Sequence, residues 1–168
     1  SLSLGTLEKV YRLLSANRSK RNAIDFDLPE YYPFYEKQKI KNFKAIERNH
    51  SHQLVEECMI LANVCAAELI SKSKIPSIYR SHEKPDPLKI INLKNFLTSR
   101  QIKNNMDSYK TRENLISWMK AAKTKKIFEV ITIQILRSMS LAKYDPKLSS
   151  HFALSLDKYT HFTSPIRR

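Results

Sequence analysis

HQLVEECMILANVCAAELISKSK, residues 52–74, decides how the rest of the chain is read. At about 100° per residue, Leu54, Val55, Cys58, Met59, Ala62, Cys65, Ala66 and Leu69 share one wide face, which predicts a long core helix. Glu56 and Asn63 fall on the opposite side with Glu57 and Glu68 beside them, so the helix is expected to present a polar edge. Cys58 and Cys65 would lie two turns apart, about 10 Å, too far to bridge each other. Two buried thiols are expected, as suits a reducing cytoplasm.

Upstream, Leu7, Val10, Tyr11 and Leu14 predict a helix over 6–18 with Thr6 as its N-cap. After the basic run RSKRN, Ile24, Phe26 and Leu28 alternate with Asp25 and Asp27, a strand pattern stopped by Pro29. A second strand is expected through Ile40, Phe43 and Ile46. Downstream, KIPSIYRSHEKPDP, residues 74–87, carries three prolines and reads as an extended connection bearing Tyr79, Arg80, His82 and Glu83. Helices are expected through PLKIINLKNFLTSRQI, through NLISWMKAAK and through KIFEVITIQILRSMSLAKY, with a polar loop at 103–110. In the last stretch Phe152, Leu154 and Leu156 alternate like a strand or a loop. The class is α+β, mostly helical, with a few strands.

The 168 residues are one domain's worth, and 42% apolar content supports a packed core. A single glycine, Gly5, makes tight glycine hairpins scarce and helices dominant. Thirty Lys and Arg against sixteen Asp and Glu give a formal charge of +14, a field that favours polyanions, nucleic acid first. No window approaches the roughly 20 apolar residues of a membrane span, so no membrane partner is expected. The opening SLSLGTLEKVYRLL lacks the pattern of a secretory signal.

A serine or cysteine nucleophile is not supported: there is no G-x-S-x-G elbow and no histidine at a motif spacing from either cysteine. The HSH at 50–52 reads as a polar helix start rather than a metal site, and Asp25 with Asp27 as a solvated strand face rather than a magnesium pair. Phe26, Tyr31, Tyr32, Phe34, Tyr79 and Tyr159 each lie near Lys, Arg or His, the interleaving that single-stranded nucleic acid uses for stacking bases and following phosphates. At the end of HFTSPIRR, Pro165 pushes Ser164 toward an extended conformation. Ser164, Arg167 and Arg168 then offer a hydroxyl and guanidinium forks that match phosphate oxygens bidentately.

RNHSHQLVEECMILANVCAAELI, PSIYRSHEKP, LRSMSLAKYDP and HFALSLDKYTHFTSPIRR occur in the order and spacing of the ribonuclease II / ribonuclease R family. The chain resembles the later part of that family's RNB catalytic domain, closest to the ribonuclease R branch. The resemblance implies a processive, magnesium-dependent hydrolytic 3′→5′ exoribonuclease that takes single-stranded RNA to nucleoside 5′-monophosphates. It implies that Arg167, in the SPIR motif, contacts the scissile phosphate, and that Phe26 stacks on the 3′-terminal bases. It implies further that Glu56 or Glu57 reads a ribose 2′-hydroxyl, that Asn63, Ser164 and Arg168 belong to the RNA-binding set, and that Tyr79, Arg80 and His82 form a channel-wall or structural turn. Ala153 stands where the family's HFGLAL has glycine.

The family's metal-holding aspartates match no carboxylate of this chain, and its pattern places them upstream of residue 1 and an oligonucleotide-binding barrel downstream of residue 168. The expectation is therefore a partial catalytic domain, inactive alone, whose partners are single-stranded RNA and the missing upstream part. The alternatives are a non-catalytic single-stranded RNA-binding module or one half of a split ribonuclease.

Overall fold

The computed structural model describes residues 2–26, 28, 30–46, 49–73, 75–102, 111–123 and 127–164. Helix α1 spans Leu2–Lys20, the hairpin strands β1 and β2 span Glu30–Glu36 and Lys39–Ile46, and helix α2 spans His50–Ser73. Strand β3 (Tyr79–Ser81), helices α3 (Pro87–Ser99), α4 (Thr111–Lys123) and α5 (Phe128–Ser138), and strand β4 (Lys143–Asp145) follow. The α+β, mostly helical expectation holds.

The core sits where α3, α4 and α5 meet. Leu97, Leu115, Trp118, Ile131 and Ile135 are at most 1% exposed, and Ile24 and Phe152 close the cluster from outside the three helices. Emptying any one large position there would cost about 2–5 kcal/mol through lost burial and the cavity left behind. Helix α3 starts at Asp86, whose side chain accepts from Leu88 N at 2.8 Å, with Pro87 at the first helical position where its missing N–H is no loss. It ends on a left-handed residue, Gln101 (φ 55°), with Gln101 N donating to Thr98 O and Ile102 N to Leu97 O. The same arrangement ends α1: Asn22 has φ 55°, Asn22 N donates to Ser19 O and Ala23 N to Arg18 O.

Several expectations need correction. Thr6 lies inside α1, which already begins at Leu2, so it is not the N-cap. Residues 24–26 and 28 form no strand; instead Ile24 N donates to Ala153 O at 2.8 Å, a tie to a distant loop, and Leu28 N donates locally to Phe26 O at 2.9 Å. The strand comes later, at β1, and includes Pro33, tolerated because a two-stranded ribbon has free edges. The hairpin closes through Lys37 and Gln38 with φ of 48° and 62°, a tight two-residue turn made without glycine. The last predicted helix stops at Ser138 rather than running to Tyr144, because residues 143–145 pair antiparallel with β3 instead.

The largest correction concerns α2. Its bounds match the prediction, but the buried residues are Glu57, Ile60, Asn63 and Ala67. Val55 (56%) and Leu69 (72%) face outward, and both cysteines are free and exposed, not buried. The polar edge is thus the face that packs. Polar burial is favourable only when each group finds a partner, and the partners come from far along the chain.

Candidate nucleic-acid interface

Three of those partners belong to the chain's last described segment. Asn63 is 2% exposed, and its Oδ1 accepts from the backbone N–H groups of Phe162 and Thr163, each at 2.9 Å. Its Nδ2 donates to the Tyr159 hydroxyl at 3.0 Å. Tyr159 is itself buried, and burial first of all holds its phenol above the usual range. Arg80 N donates to Tyr159 O at 2.8 Å, and Thr160 Oγ1 donates to Ile78 O at 2.7 Å, so β3 grips the same segment from its other side. The run 159–163 is thereby fixed between α2 and β3.

Six residues earlier on α2, Glu57 is 5% exposed and receives Arg18 NH1 from α1 at 2.6 Å. The second arm of Arg18 lies 3.5 Å from both Ile24 O and Asp25 Oδ1. One guanidinium therefore links α1, α2 and the extended run that carries Phe26. Arg21, next to this pair, donates to Leu154 O at 3.1 Å, and its pKa is lowered chiefly by burial, with Glu57 opposing.

A ring chain continues from Tyr159. His151 lies edge-on to it at 5.4 Å between centroids, and His82 edge-on to His151 at 5.0 Å. His82 Nε2 donates to Ser140 O at 2.8 Å while Nδ1 receives Ala153 N at 3.3 Å, which assigns a neutral ring protonated on Nε2. Burial lowers its pKa, and Arg80 adds to the effect. His151 Nδ1 accepts from Leu154 N, and burial, then His82 and Arg80, push its pKa down to about 3. On the outer side His161 Nδ1 and the Tyr144 hydroxyl are 2.8 Å apart, and the Arg80 guanidinium lies 4.7 Å from the Tyr144 ring centre.

The sequence-predicted residues separate accordingly. Asn63, Arg80 and His82 join one network around residues 159–163, Tyr79 precedes Arg80 in β3, and Asn63, Tyr79 and His82 are buried. Ser164 is exposed beside that network, whereas Arg167 and Arg168 lie outside the described residues. Phe26 is half-buried against the edge of the core. Glu57 is buried in its ion pair and Glu56 is half-buried on the same helix. Of the interleaved aromatics, Tyr31, Tyr32 and Phe34 stand exposed on the hairpin, with Lys44 Nζ 3.9 Å over the Phe34 ring, but Tyr79 and Tyr159 are core. Sequence reasoning missed Arg18 and His151. The only signal for Arg18 was a basic residue closing an amphipathic helix.

Among the described residues no three His, Cys, Asp or Glu side chains gather as a metal ion requires. The magnesium implied by the resemblance has no ligand set there. No described helix is long and apolar enough to cross a membrane.

Compared with known proteins, the chain matches the RNB domain over residues 1–168. It is 36% identical over 168 residues to ribonuclease R of Vibrio parahaemolyticus and 34% identical over 166 residues to that of Escherichia coli K12. Each match covers 98% of this chain and 20% of the relative, so the chain spans about a fifth of the length of these curated relatives. Among solved structures it is similar to Mycoplasma genitalium RNase R in complex with ribose-methylated single-stranded RNA, with a TM-score of 0.89 and 27% identity, over 99% of this chain and 26% of that one.

Proposed function

The chain belongs to the RNB domain family, and on that footing we propose that it is the later part of the catalytic domain of a hydrolytic exoribonuclease acting on single-stranded RNA in the cytoplasm. The enzyme works processively from the 3′ end, releases nucleoside 5′-monophosphates and uses magnesium held by aspartates that this chain does not supply. Within it this chain grips and orients. Arg167 forks onto the oxygens of the scissile phosphate and stabilises the charge that develops there. Phe26 stacks against the terminal bases. A ribose 2′-hydroxyl is read by Glu56 or Glu57, of which Glu57 is paired with Arg18 at 2.6 Å. Ser164 and Arg168 contact the backbone beside it, and Arg80 lines the wall. Tyr79 and His82, both buried, support that wall.

The observation that carries this reading is the full-length family match, 1–168, together with the anchoring of residues 159–163 directly ahead of the SPIR motif. The test uses 5′-labelled single-stranded RNA with magnesium. The 168-residue chain alone should bind it, with log K falling steeply in log salt, and should not cleave it. Supplying the aspartate-bearing upstream half should restore shortening from the 3′ end, and Arg167→Ala should abolish it. Hydrolysis by the chain alone, lost on Arg167→Ala, would overturn the division of labour. Salt-sensitive binding with no cleavage in either format would make the chain a non-catalytic RNA module.

A further inference from the structure

Arg80 is the central residue of β3, and its partner directly across the two-stranded sheet is Tyr144 of β4. Opposed residues share a face, and the guanidinium lies on the Tyr144 ring, 4.7 Å from its centre. The backbone of Arg80 is held from the other edge as well, because Arg80 N donates to Tyr159 O at 2.8 Å. Beyond the ring contact, the guanidinium makes no hydrogen bond and no ion pair among the described residues, so its fork of donors is uncommitted. The carboxylates flanking the sheet are engaged elsewhere: Glu83 pairs with Lys143 Nζ at 2.8 Å, and Asp145 Oδ1 accepts from Lys147 N at 2.8 Å. His82, His151, Tyr159 and His161 all feel the Arg80 charge, and none of them is anionic at neutral pH. Burial first of all lowers the three imidazoles and raises the phenol. Arg80 is thus a half-buried cation in neutral surroundings, without the counter-charge that a partly desolvated ion ordinarily finds. The patch is open to solvent, since Tyr144 is 56% exposed.

Resting on the proposed exoribonuclease reading, we propose that Arg80, laid on Tyr144 beside His161, is the phosphate-binding group of a subsite at the surface of the β3–β4 pair, and that it takes one backbone phosphate of single-stranded RNA. The phosphate is the counter-charge that the protein itself does not supply. A planar guanidinium can hold two phosphate oxygens on its edge while an aromatic ring covers its face, so the stacking on Tyr144 leaves the binding edge free. Tyr144 is a positioning residue in this arrangement. Its hydroxyl is 2.8 Å from His161 Nδ1, and the two rings meet edge-on at 5.6 Å, which fixes the platform under the guanidinium. His161 meets Tyr159 edge-on at 5.7 Å in turn, tying the platform to the anchored 159–163 run. With the imidazoles neutral, the subsite carries one positive charge and neutralises one phosphate.

The test measures binding of 2′-O-methylated single-stranded RNA by the complete enzyme that carries this chain, in EDTA so that binding is read apart from cleavage. Arg80→Gln should weaken binding about tenfold, the scale of a lost hydrogen bond to a charged group. It should also flatten the plot of log K against log salt by about 0.7, one phosphate on a single strand. Arg80→Lys retains a point charge, so it should keep the slope and recover only part of the affinity. One uncharged methylphosphonate linkage, moved along the strand, should weaken binding to the unsubstituted enzyme at a position where Arg80→Gln loses nothing more. Tyr144→Leu should weaken binding about threefold and cost nothing further in the Arg80→Gln background. An unchanged salt slope in Arg80→Gln, or the same methylphosphonate profile in both proteins, would overturn the proposal. Should Arg80→Gln fail to fold, Arg80→Met keeps an unbranched stem on the Tyr144 ring and reads the same slope. Hydrolysis of RNA in magnesium with binding indifferent to Arg80 sinks the subsite alone. An Arg80-dependent slope in an enzyme that hydrolyses no RNA sinks the exoribonuclease reading and leaves the subsite standing.

Discussion

Acid should loosen the joint between strand β3 and the 150–156 loop, and its two imidazoles, His82 and the half-buried His151, say by how much. His82 and His151 each use Nδ1 to accept a backbone N–H, from Ala153 and Leu154, so a proton arriving on either Nδ1 must break the bond that holds the loop. In the unfolded chain His151 titrates near the ordinary 6.5, and in the folded chain it is pushed down to about 3 by burial, His82 and Arg80. Between those values the unfolded state takes up a proton that the folded state refuses. Stability is therefore full above the unfolded pKa and is lost as pH falls toward the folded one. Integrated from pH 7 to pH 5, His151 alone contributes a loss of about 2 kcal/mol. His82, lowered for the same reason, adds in the same direction. The assay is urea unfolding at both pH values, followed by the fluorescence of Trp118, the sole tryptophan and 1% exposed in the core. His151→Phe keeps a ring beside Tyr159 but cannot titrate. It should be less stable at pH 7 and should lose clearly less than the unsubstituted chain on going to pH 5. Equal losses in the two proteins would refute the reasoning.

Two further perturbations test the frame. Arg18→Ala strands the buried Glu57 carboxylate and should cost roughly 3–5 kcal/mol in urea unfolding, whereas Arg18→Met combined with Glu57→Leu, which removes both charges, should recover most of that loss. Gly5 lies in an exposed part of α1 with nothing within 4 Å of where a Cβ would stand, so Gly5→Ala should raise stability by about 0.5–1 kcal/mol, read as a shift in the urea midpoint at unchanged slope.

Helix positions were largely legible because the apolar period is local. The apolar spacing of 52–74 announces α2 within a residue or two at each end, whereas the one cap read from sequence, Thr6, falls inside α1. Which face of α2 packs was not legible. Glu57 and Asn63 read as a solvated edge because their partners, Arg18 and residues 159–163, lie 39 to 100 residues away, and no local pattern reports a hydrogen bond over that separation. The strand misplaced at 24–28 has a related cause. Alternation there is real, with Ile24 in and Asp25 out, but Ile24 N donates to Ala153 O, Leu28 N donates back to Phe26 O, and no neighbouring strand completes a ladder. At the candidate site, the tail motif and the YR-x-H turn were visible as words. Their physical connection through Asn63, Tyr159 and His151 required the fold.

The chain's economy with glycine has a consequence for its mutational future. Among the described residues, Asn22, Lys37, Gln38, Gln101 and Ser155 all adopt positive φ, where a side chain is crowded against its own backbone, and glycine occupies none of these places. Each is held by what surrounds it: helix-end hydrogen bonds at Asn22 and Gln101, strand pairing around Lys37 and Gln38, and the bond from Ser155 N to Phe152 O. These positions are a dormant reserve. Glycine at any of them would relieve that crowding, so such a substitution is open as a compensating step whenever a change elsewhere weakens the fold.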